Sequence, residues 1–189
     1  MGESMTLTLG SRRRLTLVGI LVIVLVLLAW IVAAYNSLVA KDQGVTAQWA
    51  QVENQYQRKI DLIPSLVGAV TQYQQFERST LENITRLRSQ WLNTSGIDQR
   101  INTSQSLDQN LFAIRVTYEN YPDLHSDQLV AGLMDELAGT ENRIAVERMW
   151  YNDAVRSYNT AVISFPNSLL AGSFGFQPRK YYDPIPGGP

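Results

Sequence analysis

No cysteine occurs anywhere in this chain, so disulfides and thiolate chemistry are excluded, and the redox compartment cannot be read from thiols. There is one histidine, His125. A single imidazole cannot supply a His-based metal site, a His-Glu-x-x-His helix or a Ser/His/Asp triad. No glycine-rich phosphate loop is present, and Asp135-Glu136 lacks the spacing of a calcium loop. Basic residues are sparse: of 16 Lys plus Arg, three sit at Arg12, Arg13 and Arg14, and no basic stripe is left to neutralise phosphates. Nucleic acid is therefore not an expected partner. Strand-type alternation is missing as well. These absences leave an enzyme without residues, so no catalytic group, cofactor or metal ligand is expected.

One long apolar run is present. Leu15 to Ala34, LTLVGILVIVLVLLAWIVAA, carries no charge, and 20 helical residues at about 1.5 Å each reach about 30 Å, the thickness of a bilayer's hydrocarbon core. A cleaved signal peptide would also begin with a basic run and could end at Val32-Ala33-Ala34. However, its apolar core usually holds only about 7–15 residues, so a retained anchor fits better. Met1-Gly2-Glu3-Ser4-Met5-Thr6 formally matches a myristoylation pattern, which a protein with its own span hardly needs. The three arginines before the span, against Lys41 beside Asp42 after it, put residues 1–14 in the cytoplasm and the rest outside. Expected partners are the lipid bilayer, through Leu15 to Ala34, and a second copy of the chain or another membrane protein.

After the span, apolar positions recur at helical spacing. Trp49, Val52, Tyr56, Ile63, Leu66, Val70, Tyr73, Ile84, Leu87 and Trp91 share one face, which predicts one long helix from Asn36 to Trp91, bent at Pro64. Turn chemistry at Asn93–Gly96 marks the first reversal. A second helix runs from there to Tyr121, closed by Pro122. A third, capped by Ser126 or Asp127, runs to Ser164 and stops at Phe165-Pro166. Asn167–Ala171 is expected to form a short fourth helix, with Phe174-Gly175-Phe176 tucking back onto the bundle, and residues 178–189 to form a disordered tail. The fold class is all-α: an N-terminal transmembrane helix over 15–34, then an antiparallel bundle of three long helices plus a short C-terminal helix over 35–177. At about 1.5 Å per residue the three rods are about 84, 38 and 57 Å long. Their mismatch predicts that Trp49, Val52 and Tyr56 lack partners in their own chain and form an interaction surface. The sequons at Asn83, Asn93 and Asn102 would be open to glycosylation outside the cell, though such triplets arise readily in Asn/Thr/Ser-rich stretches.

Two polar features stand out. Asp61, flanked by core-type residues, is a poor lone catalyst. It reads instead as a structural polar pair with Arg143 or Arg156, fixing helix register. Arg148, Asn152, Arg156 and Asn159, spaced at four, four and three, form a stripe on the third helix. That stripe is either a solvated flank or a site for an anionic partner or another copy of the chain.

Several strings together resemble the LemA family in order and spacing: Tyr35-Asn36-Ser37-Leu38-Val39 after the span, Asp61-Leu62-Ile63-Pro64-Ser65-Leu66-Val67, Tyr121-Pro122-Asp123-Leu124, Thr140-Glu141-Asn142-Arg143-Ile144-Ala145, Tyr151 to Asn159, Phe165-Pro166 and Phe174-Gly175-Phe176. The resemblance implies a membrane-anchored prokaryotic helical bundle with its N-terminus inside, and it carries over no activity. Where relatives often have His-Glu after the first helix's Tyr, this chain has Phe76-Glu77, so no metal role transfers there. The functional expectation is a non-catalytic, self-associating scaffold of the cell envelope. The alternative is an extracytoplasmic ligand-binding or sensory domain, with the polar stripe lining an interhelical pocket.

Overall fold

The computed structural model describes residues 4–182, with side chains from residue 13 onward. Among the described residues there are six α-helices and no strand: α1 (Ser4–Val70), α2 (Arg78–Asn93), α3 (Ile97–Asn120), α4 (Pro122–His125), α5 (Gln128–Ile163) and α6 (Ser168–Ala171). The chain divides into two compact units, the first made of residues up to Gln43 with Tyr158–Pro178, the second of Gly44–Ser157 with the residues from Arg179.

In the first unit, α1 is long and apolar enough to cross a membrane, and its side chains from Leu15 to Leu28 are exposed. A helix that is apolar all round must be buried in a large core or surrounded by lipid. Toward the end of this apolar run burial sets in, at Ala34 and Leu38. The same unit holds the end of α5 with buried Tyr158 and Val162, the short α6, and the segment to Pro178. Helical hydrogen bonding past α6 closes in a Schellman motif: the Phe176 N–H donates to the Ala171 carbonyl (2.9 Å) and the Gly175 N–H to the Gly172 carbonyl (3.2 Å). Gly175 has φ +80°, a conformation that costs a residue with a Cβ about 1–2 kcal/mol. The turn returns Phe174 and Phe176 to α1, where their rings meet Tyr35 edge-on at 5.2 and 5.7 Å. Phe174-Gly175-Phe176, expected to tuck onto the bundle, packs on Tyr35 of α1.

The second unit contains four long helical segments: α1 from Gly44, α2, α3, and α5 to Ser157. Their side-chain bonds give the directions. Arg88 of α2 reaches Ile60 of α1, so α2 runs back along α1. Arg100 pairs with Glu53 and Asp108 with Lys59, so α3 runs with α1. Tyr73 meets Asp127, Lys59 meets Glu141, and Trp49 meets Tyr151, so α5 is antiparallel to α1. The result is an up-down-up-down arrangement with four rods in place of the three expected.

The difference lies in the first rod. It ends at Val70, and residues 71–77 reverse the chain, whereas the sequence reading carried it to Trp91. The reversal contains no Gly or Pro, so no turn signal marked it. Long-range bonds fix it instead: the Tyr73 hydroxyl donates to Asp127 Oδ2, while Asp127 Oδ1 accepts the N–H groups of Leu129 (2.9 Å) and Val130 (3.2 Å) as the expected cap of α5. Pro64 lies inside α1 and cannot donate to the carbonyl of Ile60, four residues before it. Arg88 Nε supplies the missing proton at 3.1 Å. A backbone acceptor orphaned by proline is thus satisfied by the next helix.

Candidate functional site

Trp49, Val52 and Tyr56 do not form an exposed stripe. Trp49 is 4% exposed, and Val52 and Tyr56 are fully buried. Trp49 packs edge-on against Tyr151 (5.6 Å) and stacks on Tyr182 (6.5 Å), and Tyr56 stacks between Trp91 (6.4 Å) and Tyr182 (6.2 Å). The partner that the sequence reading lacked is the segment Arg179–Tyr182, which that reading placed in a disordered tail. Tyr182 is a core residue, 1% exposed. Residues 183–189 lie outside the described residues.

These aromatics surround a charged network on the inner faces of α1, α3 and α5. Lys59 Nζ donates to Asp108 Oδ1 at 2.8 Å and to Glu141 Oε1 at 2.9 Å, and Lys59 and Asp108 are only 2% and 7% exposed. The Tyr56 hydroxyl donates to Asp108 Oδ2 (2.6 Å). Its own proton being engaged, it accepts from the Tyr182 hydroxyl, also at 2.6 Å. Ser104 bonds to the Tyr182 hydroxyl in turn and accepts from Trp91 Nε1 at 3.0 Å. Arg148 places its guanidinium 4.0 Å over the Tyr182 ring and 3.8 Å from Asp108 Oδ2. Two cations thus stand against two carboxylates, and every hydroxyl in the relay from Trp91 to Asp108 is used.

Burial alone would depress the Lys59 ammonium, but the Asp108 and Glu141 carboxylates beside it outweigh burial and hold it above its ordinary value. Burial, reinforced by the Asp108 charge, pushes the Tyr56 and Tyr182 hydroxyls up. Burial likewise pushes Tyr151 up to about 12. Tyr56, Tyr151, Tyr182 and Lys59 therefore all keep their protons at neutral pH.

The other residues picked out by sequence separate. Asp61 is exposed and accepts from Gln57 Nε2 at 2.8 Å, one helical turn away on its own helix. Arg156 pairs with Asp153 (2.7 Å), and Arg143 is exposed. The buried polar pair is Lys59–Asp108, joined by Glu141, whereas Asp61 bonds to Gln57 and Arg156 to Asp153. Lys59 escaped notice because a lysine beside Arg58 in a polar stretch ordinarily directs its ammonium to water. Asp108 escaped because it ends a stretch rich in turn-forming residues. In the polar stripe, Asn152 holds both backbone groups of Tyr182: its Nδ2 donates to the Tyr182 carbonyl (2.9 Å) and its Oδ1 accepts the Tyr182 N–H (2.8 Å). Arg148 and Asn152 thus serve the chain's own C-terminal segment. Arg156 and Asn159 lie further along α5, in different units.

Among the described residues, no group of three or more His, Asp or Glu side chains is placed to hold a metal ion. A shallow groove of about 480 Å³ lies between α1 and α2, lined by Val67, Thr71, Arg78, Leu81, Glu82, Thr85, Arg86 and Ser89.

The chain is similar in sequence to several known proteins. Magnetosome proteins MamQ 2 and MamQ 1 of Paramagnetospirillum magneticum are each 22% identical to this chain over 95% of its length and 75% of theirs. Protein LemA of Metamycoplasma hominis is 28% identical over 59% of this chain and 50% of its own. The profile of the LemA family matches residues 48–186, which takes in all four rods and the closing segment, and the chain belongs to the LemA family.

Proposed function

We propose that this protein is a single-pass, membrane-anchored scaffold of the cell envelope, with residues 1–14 in the cytoplasm and the helical bundle outside, and that it works by contact and not by catalysis. The observation that carries this reading is the fate of its polar groups: Lys59, Asp108, Glu141, Tyr56, Tyr182 and Asn152 all bond to one another or to the chain's own backbone. Groups consumed in holding helices together are not available to a substrate. The exposed run from Leu15 to Leu28 supplies the anchor, and the arginines before it supply the orientation.

Self-association is the second part of the proposal. Burial of Trp49 and Tyr56 moves the candidate face to α5, where Val146, Met149 and Trp150 are each about half exposed. Their spacing of three and one puts them on one side of the helix, and aromatic and methionine side chains are enriched at interfaces. Light scattering of the full-length protein in mild detergent tests the idea. The expected result is a defined oligomer that falls to a monomer in the Met149→Glu/Trp150→Glu variant with helicity retained. A monomeric native protein, or an oligomer indifferent to the double variant, would remove self-association through α5.

A further inference from the structure

Besides the span, the first unit exposes a second group of large apolar side chains. Ile163 at the end of α5 is 67% exposed, Phe165 just after it 81%, and Leu169 in α6 67%; Phe174 is 44% exposed. Few soluble surfaces present four large apolar side chains within a dozen residues. Charge is missing as well: between Arg156 and Arg179 the chain has no Lys, Arg, Asp or Glu at all. A solvated surface turn would ordinarily carry several.

Position names the occupant. Phe174 and Phe176 pack on Tyr35, the residue directly after Ala34, where the apolar run of α1 ends. A run of about 30 Å fills the hydrocarbon core, so its last residues and Tyr35 sit at the level of the lipid headgroups. The turn anchored on Tyr35 by the Schellman motif is held at that same level. Apolar side chains there sink into the headgroup–acyl boundary, as interfacial helices do, and an uncharged segment loses no ion hydration in doing so.

We propose that Ile163, Phe165, Leu169 and Phe174 form a second membrane contact, a monotopic foot resting in the outer interface of the bilayer beside the exit of α1. This inference rests on the reading of α1 as a membrane span. The foot needs no lipid headgroup charge, so neutral phosphatidylcholine is sufficient.

The absence of cysteine makes the test direct. Single cysteines at Phe165, Leu169, Val24 and Ser89 are introduced into the full-length protein and spin-labelled, the protein is placed in phosphatidylcholine nanodiscs, and collision with oxygen and with a water-soluble nickel chelate is measured. Helicity is checked by circular dichroism in each variant. Val24 reports on the span, and Ser89, exposed on α2, reports on water. Labels at 165 and 169 are expected to shift toward the Val24 pattern, accessible to oxygen and shielded from nickel. If both match Ser89 while Val24 reads as lipid, the foot is wrong and the anchor stands. If Val24 itself reads as water, the anchor fails. Shielding from both reagents at 165 and 169 would mean that protein covers the surface, and would also overturn the proposal.

Discussion

Two stretches of α1 show opposite solutions to one problem. From Leu15 to Leu28 every turn is apolar and exposed; from Val45 to Val70 the apolar residues are confined to one face and that face is buried. Both are continuous α-helix, apart from the one backbone hydrogen bond lost at Pro64. The difference is what surrounds the rod, because dispersion of apolar residues around the whole circumference suits a hydrocarbon solvent and segregation suits water. The polar inventory follows the same division: charge is absent from the first stretch, whereas the second carries Glu53, Arg58, Lys59 and Asp61, of which Lys59 alone is buried, between Asp108 and Glu141.

The sharpest way to break this contrast is to remove one charge from the buried network. Asp108→Ala leaves Lys59 and the Tyr56 hydroxyl facing a missing acceptor, and removal of one partner from a buried pair costs about 3–5 kcal/mol. Chemical denaturation of the full-length protein in detergent should register that loss. The Lys59→Met/Asp108→Leu double variant should lose much less than the sum of the two single changes, since replacement of both partners is often nearly neutral. Equal additive losses would show that the two charges are not coupled.

A smaller effect probes the proline in the rod. Arg88→Met deprives the Ile60 carbonyl of its donor, at a cost of about 1–3 kcal/mol for a buried acceptor left unsatisfied. In a Pro64→Ala background the helix supplies its own N–H at that site, so the same arginine change should then cost clearly less. A double-mutant cycle in thermal or denaturant melts reads the coupling directly, and strict additivity would dissociate Arg88 from the role given to it.

A separate effect appears only in alkali. In the unfolded chain Tyr151 ionises near 10.0, whereas in the fold it keeps its proton up to about 12. The unfolded state therefore releases its proton first, and stability falls as pH rises from 10.0 to about 12. Lys59, Tyr56 and Tyr182, all raised, act in the same direction, with stability complete below their unfolded values and lost above them. Phenolate absorbance followed together with helicity should show the late-ionising tyrosines appearing as the bundle melts, with a shallower alkaline loss in Tyr151→Phe.

Much of the fold was legible because helical spacing and capping are local signals. The apolar run, the stop at Pro122, the Asp127 cap and the short α6 all follow from neighbours within a turn or two. The reversal at 71–77 was not legible, since Thr71-Gln72-Tyr73-Gln74-Gln75-Phe76 has no turn residue and is fixed by a tyrosine reaching Asp127 across the bundle. The candidate site was illegible for the same reason. Periodicity marked Trp49 and Tyr56 as apolar and facing inward, but what faces them is Tyr182, over a hundred residues away, in a stretch whose prolines and glycines read as slack chain. Asp61 looked structural from its neighbours, yet periodicity could not rank it against Lys59, two positions earlier on the same helix.

The closing role of Tyr182 has a consequence for biosynthesis. Translation delivers every rod by Ile163, but the tyrosine that seals Trp49 and Tyr56 emerges about twenty residues later. Until that tyrosine docks, Trp49 and Tyr56 lack the ring that covers them, and uncovered aromatics of this kind are what a chaperone or a protease engages.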